Sequence, residues 1–134
     1  MKVEFQDLED RSNPHNGESF TSVSQVVGLL NELRYSRPPF MCELRGDNGF
    51  TLTVGLGVDI GCVQYASSDG TPPYMMAVSP PEVKPYTGDM EFVVGGTATP
   101  IDGRYYLPFQ IVKQIVAYFM ETGDRSPTVV WEEF

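Results

Sequence analysis

The sequence predicts an α+β fold, a mostly antiparallel sheet with two helices packed on it. Three observations carry this. Two stretches, near residues 22–34 and 111–120, have apolar residues at helical spacing. Between them lie several short stretches of strand character, separated by turn residues too few for helical crossovers. The order strand, helix, four to five strands, helix, strand places the strand run in the middle of the chain. At 134 residues with 41% apolar content, the expectation is a single domain, 1–134, whose core needs no disulfide or metal.

The elements follow in order. KVEFQDL (2–8) alternates Val3 and Phe5 with polar neighbours and predicts a first strand. Glu9–Ser19 is polar, holds Pro14 and Gly17, and predicts a loop. Ser22 and Gln25 have capping-box spacing ahead of Val23, Val26, Val27, Leu30 and Leu33, so a helix is expected over 22–34, ending before Pro38 and Pro39. Gly28 weakens that helix by about 1 kcal/mol relative to alanine without reversing it.

Strands are expected at 40–44, 49–57, 61–68, 73–78 and 90–96. In 49–57, Phe50, Leu52, Val54 and Leu56 alternate with Thr51, Thr53 and Gly55, which predicts one buried face and one thin, polar face. The short Val58-Asp59-Ile60 link predicts a hairpin. Ser79–Asp89 holds three prolines and predicts an irregular loop; 98–108 predicts a connection. Val112, Ile115, Val116 and Phe119 make the stripe of the second helix, with Pro108 at its start and Gly123 as a left-handed C-cap. Val129, Val130 and Trp131 predict a closing strand with the only tryptophan in or against the core.

Eighteen acidic residues against nine basic ones give a net charge of −9. That surface repels nucleic-acid phosphates and anionic membranes, and favours a basic partner or simple solubility. No apolar run approaches a membrane span, and no secretory signal pattern is present, so the expected location is cytoplasmic. Cys42 and Cys62 are expected to be buried free thiols.

The residues offer little chemistry. His15, the one histidine, sits in a polar turn; a pairing with either cysteine has no support from spacing. The zinc-deaminase signature is absent. Glu132 and Glu133 point apart on a strand. The glycines of VGLGVDIG precede a strand rather than a helix, so they shape a hairpin with close approach at Gly55 and do not cradle a dinucleotide; VVGGT lacks the lysine and helix of a phosphate loop. The expectation is no catalytic residue, no metal and no cofactor.

The series Leu52, Val54, Gly55 and Leu56; Gly61, Val63 and Tyr65; Tyr74; Leu107 and Pro108; Phe119, Thr122 and Gly123; Arg125, Pro127 and Trp131 resembles the first-numbered family of bacterial polymorphic-toxin immunity proteins. The resemblance covers residues 20–134, with Ser126 inserted between Arg125 and Pro127 as a departure from the pattern. It implies a non-enzymatic protein that binds a cognate toxin domain, of the nucleic-acid deaminase or nuclease kind, and occludes its active site. An adaptor or structural subunit of another assembly is the alternative, and a minor hydrolase a third. Under the immunity reading the candidate toxin-binding residues are Asp59 in its tight hairpin, Asp69 in the Ser-Ser-Asp-Gly turn, Tyr74 as an aromatic anchor, and Asp89 and Glu91 beside a later strand. Each is also an ordinary solvated turn residue. The Glu4–Asp10 edge and the Glu132–Phe134 terminus are the next places to look.

Overall fold

The computed structural model describes residues 1–82 and 90–134. Strands β1 (Val3–Asp7) and β2 (Ser19–Phe20) precede helix α1 (Val23–Ser36). Then come β3 (Phe40–Gly46), β4 (Phe50–Leu56), β5 (Ile60–Ser67), β6 (Met75–Val78), β7 (Met90–Val94) and β8 (Thr97–Ile101). A 3-10 turn (Gly103–Tyr105), β9 (Leu107–Pro108), helix α2 (Phe109–Thr122) and β10 (Val130–Glu133) complete the chain. The main sheet runs β10-β6-β5-β4-β3-β1-β2, antiparallel at every step. The architecture is α+β, as the sequence predicts.

Both helices begin and end for local reasons. Ser22 Oγ accepts the Gln25 backbone N–H at 3.3 Å, the expected half of a capping box. Arg37, ahead of Pro38, is extended, because proline disfavours helical geometry in the residue before it. Gly123 ends α2 in the left-handed region (φ 78°), and its N–H reaches Phe119 O at 2.7 Å. Val112, Ile115, Val116 and Phe119 face the sheet fully buried. They meet Leu44, Leu52, Val54 and Val63, together with Val26 and Leu30 of α1. Each such side chain contributes about 1.5–3 kcal/mol by leaving water.

The opposite face of the sheet departs from expectation. It is not thin and polar: β4 is buried on both faces over most of its length. The β7–β8 hairpin and the 3-10 turn cover it, forming a second core of Ile60, Cys62, Met76, Phe92, Ile101, Tyr105 and Tyr106. Gly55 makes this possible. A Cβ there would lie 2.5 Å from Cys62 Sγ and 2.9 Å from the Phe92 ring, so the missing side chain is the seat of Phe92. The hairpin docks where β1 stops pairing with β3: Phe40 pairs in parallel with Val93, whose N–H reaches Pro39 O at 2.9 Å.

Strand β8 and the short β9 fall in the stretch expected to be a connection. Two threonines and Pro100 give β8 no apolar alternation; it exists because β7 pairs with it through a Gly95-Gly96 turn with positive φ at both positions. The Glu9–Ser19 loop is a loop, as expected, but a built one. Buried Asp7 accepts the backbone N–H groups of Glu9 and Asp10 on one oxygen, and Asn13 Nδ2 and Arg37 on the other.

Candidate functional site

The central hairpin sets where the candidate residues lie. Strands β4 and β5 pair from Phe50↔Ser67 to Gly55↔Cys62, so the turn holding Asp59 is at one end and the turn holding Asp69 at the other. Eight residues of β5 separate the ends by roughly 25 Å. Glu91 belongs with Asp59, since the Met90 methyl reaches Gly57 beside that turn. Tyr74 belongs with Asp69. Asp89 lies outside the described residues. The structure therefore brings the candidates together as two pairs, not as one group.

At the Asp59 end, Val58 and Tyr35 are exposed, and Arg34 joins them. Its guanidinium donates to Val58 O at 2.6 Å and lies 4.5 Å from the Tyr35 ring and 4.0 Å from the Phe109 ring. Asp59 and Glu91 are both exposed there.

At the other end the loop is stiff for its length. One Asp69 carboxylate oxygen accepts Thr71 N–H at 2.9 Å and Thr71 Oγ1–H at 2.6 Å, and these bonds hold the carboxyl below its usual range. Tyr74 donates its hydroxyl to Gly70 O at 2.6 Å, and its carbonyl accepts the Phe134 N–H at 2.8 Å. The phenol that the sequence offers as an anchor thus closes its own loop, while the Tyr74 backbone ties that loop to the residue after the last strand.

This loop forms one wall of an open groove of about 460 Å³. Its floor is aromatic. Phe50 stacks on Tyr65 with centroids 5.0 Å apart and planes 14° off parallel. Tyr65 meets Phe119 and Trp131 edge-on at 6.0 and 6.3 Å, and donates its hydroxyl to Gly123 O at 3.3 Å. Burial first, then the Asp124 carboxylate, push its phenol above the ordinary value, with Arg125 opposing. Asp124 and Glu133 line the groove, and the Arg125 guanidinium stands 5.8 Å from the Tyr65 ring centroid.

Phe50 corrects a sequence expectation. Alternation puts it on the buried face of β4, yet it is 38% exposed, because β4 begins there and the sheet's cover has ended. Its position directly after the Gly49 turn is the one signal that could have marked it. In sequence Asp124 reads only as a turn residue, and Arg125 as one of the positions that carry the family resemblance, with no site role. Glu133 falls in the terminus marked there as a next place to look.

His15 Nδ1 lies 2.7 Å from Glu18, both half-exposed, while Cys42 and Cys62 are buried free thiols, the latter pushed up to about 12 by burial. Among the described residues no three His, Cys, Asp or Glu side chains converge as metal ligands. Among the described residues no helix is long and apolar enough to cross a membrane.

The model of the family described as "Immunity protein Imm1" matches residues 15–133. No curated protein matches the chain.

Proposed function

The chain belongs to the Imm1 family of immunity proteins, and from that premise we propose that it neutralises a cognate toxin domain by binding it and covering its active site, without catalysis of its own. The toxin is of a nucleic-acid-targeting class, a deaminase or nuclease. Such an enzyme presents basic residues where it holds a polyanion, and a protein of net charge −9 can occupy that surface in the polyanion's place.

One observation supports the choice of face: a rigid aromatic groove edged by carboxylates. A preformed surface loses little ordering entropy on binding, and exposed rings in a concave setting are what interface anchors use. The contact is therefore centred on Phe50 in the groove, with Asp69 and Tyr74 in the turn beside it. Asp59 and Glu91, at the far end of the sheet, act as steering charges. Asp89 keeps the standing its sequence position gives it.

The test is protection. Cells expressing the toxin domain encoded beside this chain's gene survive when this chain is co-expressed, and die when an unrelated acidic protein of similar size replaces it. Death with this chain present at levels above the toxin contradicts the reading.

A further inference from the structure

We propose that the groove at the Phe50 end is the seat for a cationic side chain of the toxin, an arginine or lysine whose stem lies across the Phe50–Tyr65 stack and whose charge meets Asp124 and Glu133. This rests on the immunity reading and says which chemistry that contact uses.

Three features of the groove specify this occupant. The floor holds Phe50, partly exposed and stacked on the buried Tyr65; an open aromatic ring, apolar with a negative face, suits an aliphatic stem ending in a cation. The walls carry Asp124 and Glu133, which are exposed and form no ion pair among the described residues. The chain itself places a guanidinium beside this floor: Arg125 stands near the Tyr65 ring, and no carboxylate lies within ion-pair distance of it among the described residues. A guanidinium thus fits beside the floor, and Asp124, which accepts only the Arg125 backbone N–H at 2.7 Å, and Glu133 have no cation paired with them among the described residues. A phosphate or nucleic-acid occupant is disfavoured by the same carboxylates.

The experiment measures binding kinetics between this chain and the toxin domain encoded beside its gene, the toxin purified as a catalytically silent variant. Three variants are compared with wild type: Phe50→Ala, the double variant Asp124→Lys/Glu133→Lys, and Tyr35→Ala/Val58→Ser at the opposite end of the sheet. Every altered side chain is at least partly exposed, and circular dichroism melting checks that each variant folds. The double charge variant should associate about tenfold more slowly, with a shallower salt dependence. Phe50→Ala should dissociate about tenfold faster. The Tyr35/Val58 variant should bind as wild type does. If wild type binds and both groove variants match it, the groove proposal is overturned while the immunity reading stands. Loss confined to the Tyr35/Val58 variant moves the interface to the other end. A wild-type dimer that Phe50→Ala breaks assigns the groove to self-association instead. If wild type does not bind, the immunity reading itself fails.

Discussion

The indole N–H of Trp131 donates to the backbone carbonyl of Ser126 at 2.9 Å. Ser126 is 1% exposed, and its hydroxyl bonds Thr128 Oγ1 at 2.8 Å. The extra residue between Arg125 and Pro127 therefore supplies the acceptor for the tryptophan. The ring is half-buried against the main core rather than inside it. Trp131→Ala should cost about 2–3 kcal/mol, less than a fully buried aromatic, and Trp131→Phe about 1 kcal/mol for the lost hydrogen bond. Urea unfolding measures both. Equal losses for the two variants would show that the ring packing contributes nothing.

Gly55→Ala should destabilise the fold by about 3 kcal/mol, at the upper end for an overpacked core. Its methyl group would meet Cys62 Sγ and the Phe92 ring at distances that force one of them to move. Phe92→Ala in the same background should cost less than it does alone, because it opens space the methyl group needs, so the two losses should fall short of their sum. An additive double variant would place the strain elsewhere.

Asp7 and Arg37 join the loop before β2 to the end of α1. Asp7 is 1% exposed and accepts four hydrogen bonds. Asp7→Ala should cost about 3–5 kcal/mol, since it leaves a partly buried guanidinium and two backbone N–H groups without their acceptor. Amide exchange at Glu9, Asp10 and Asn13 should speed up before the rest of the sheet opens. Unchanged protection there would contradict the role given to Asp7.

Burial raises the thiol values of Cys42 and Cys62, the latter to about 12. An acid whose folded value is raised stabilises the fold fully below its unfolded value and loses that contribution as pH rises past it. Stability should therefore be indifferent to these groups below pH 9, the ordinary thiol value, and fall above it, where only the unfolded chain ionises. A disulfide reagent at pH 8 should label neither thiol in native protein and both in denaturant. Rapid native labelling of either would contradict its burial.

The helices and central strands were legible because each carries one apolar period matched to its own geometry. Val112, Ile115, Val116 and Phe119 repeat every three to four residues, and Leu52, Val54 and Leu56 every two, so their partners could be inferred without being known. The second core was not legible. Phe92, Tyr105 and Tyr106 gather only after the β7–β8 hairpin crosses the sheet; Gly55 reads in sequence as a place of close approach, but not what approaches it. Asp7 was within reach: it continues the period of Val3 and Phe5, which places a carboxylate on the buried face. The groove was legible only through the turn beside it. Asp69 and Tyr74 announce a turn, but the exposure of Phe50 and the approach of Asp124 and Arg125 depend on α2 ending beside Tyr65.

The account turns on stoichiometric neutralisation of a toxin by this chain. The most direct measurement is residual activity of the toxin domain encoded beside its gene, at fixed concentration on its own nucleic-acid substrate, as this protein is added. Activity should fall linearly to zero at one molecule per toxin, with substrate in excess unable to restore it once the complex has formed. Full toxin activity at a several-fold excess of correctly folded protein would contradict it.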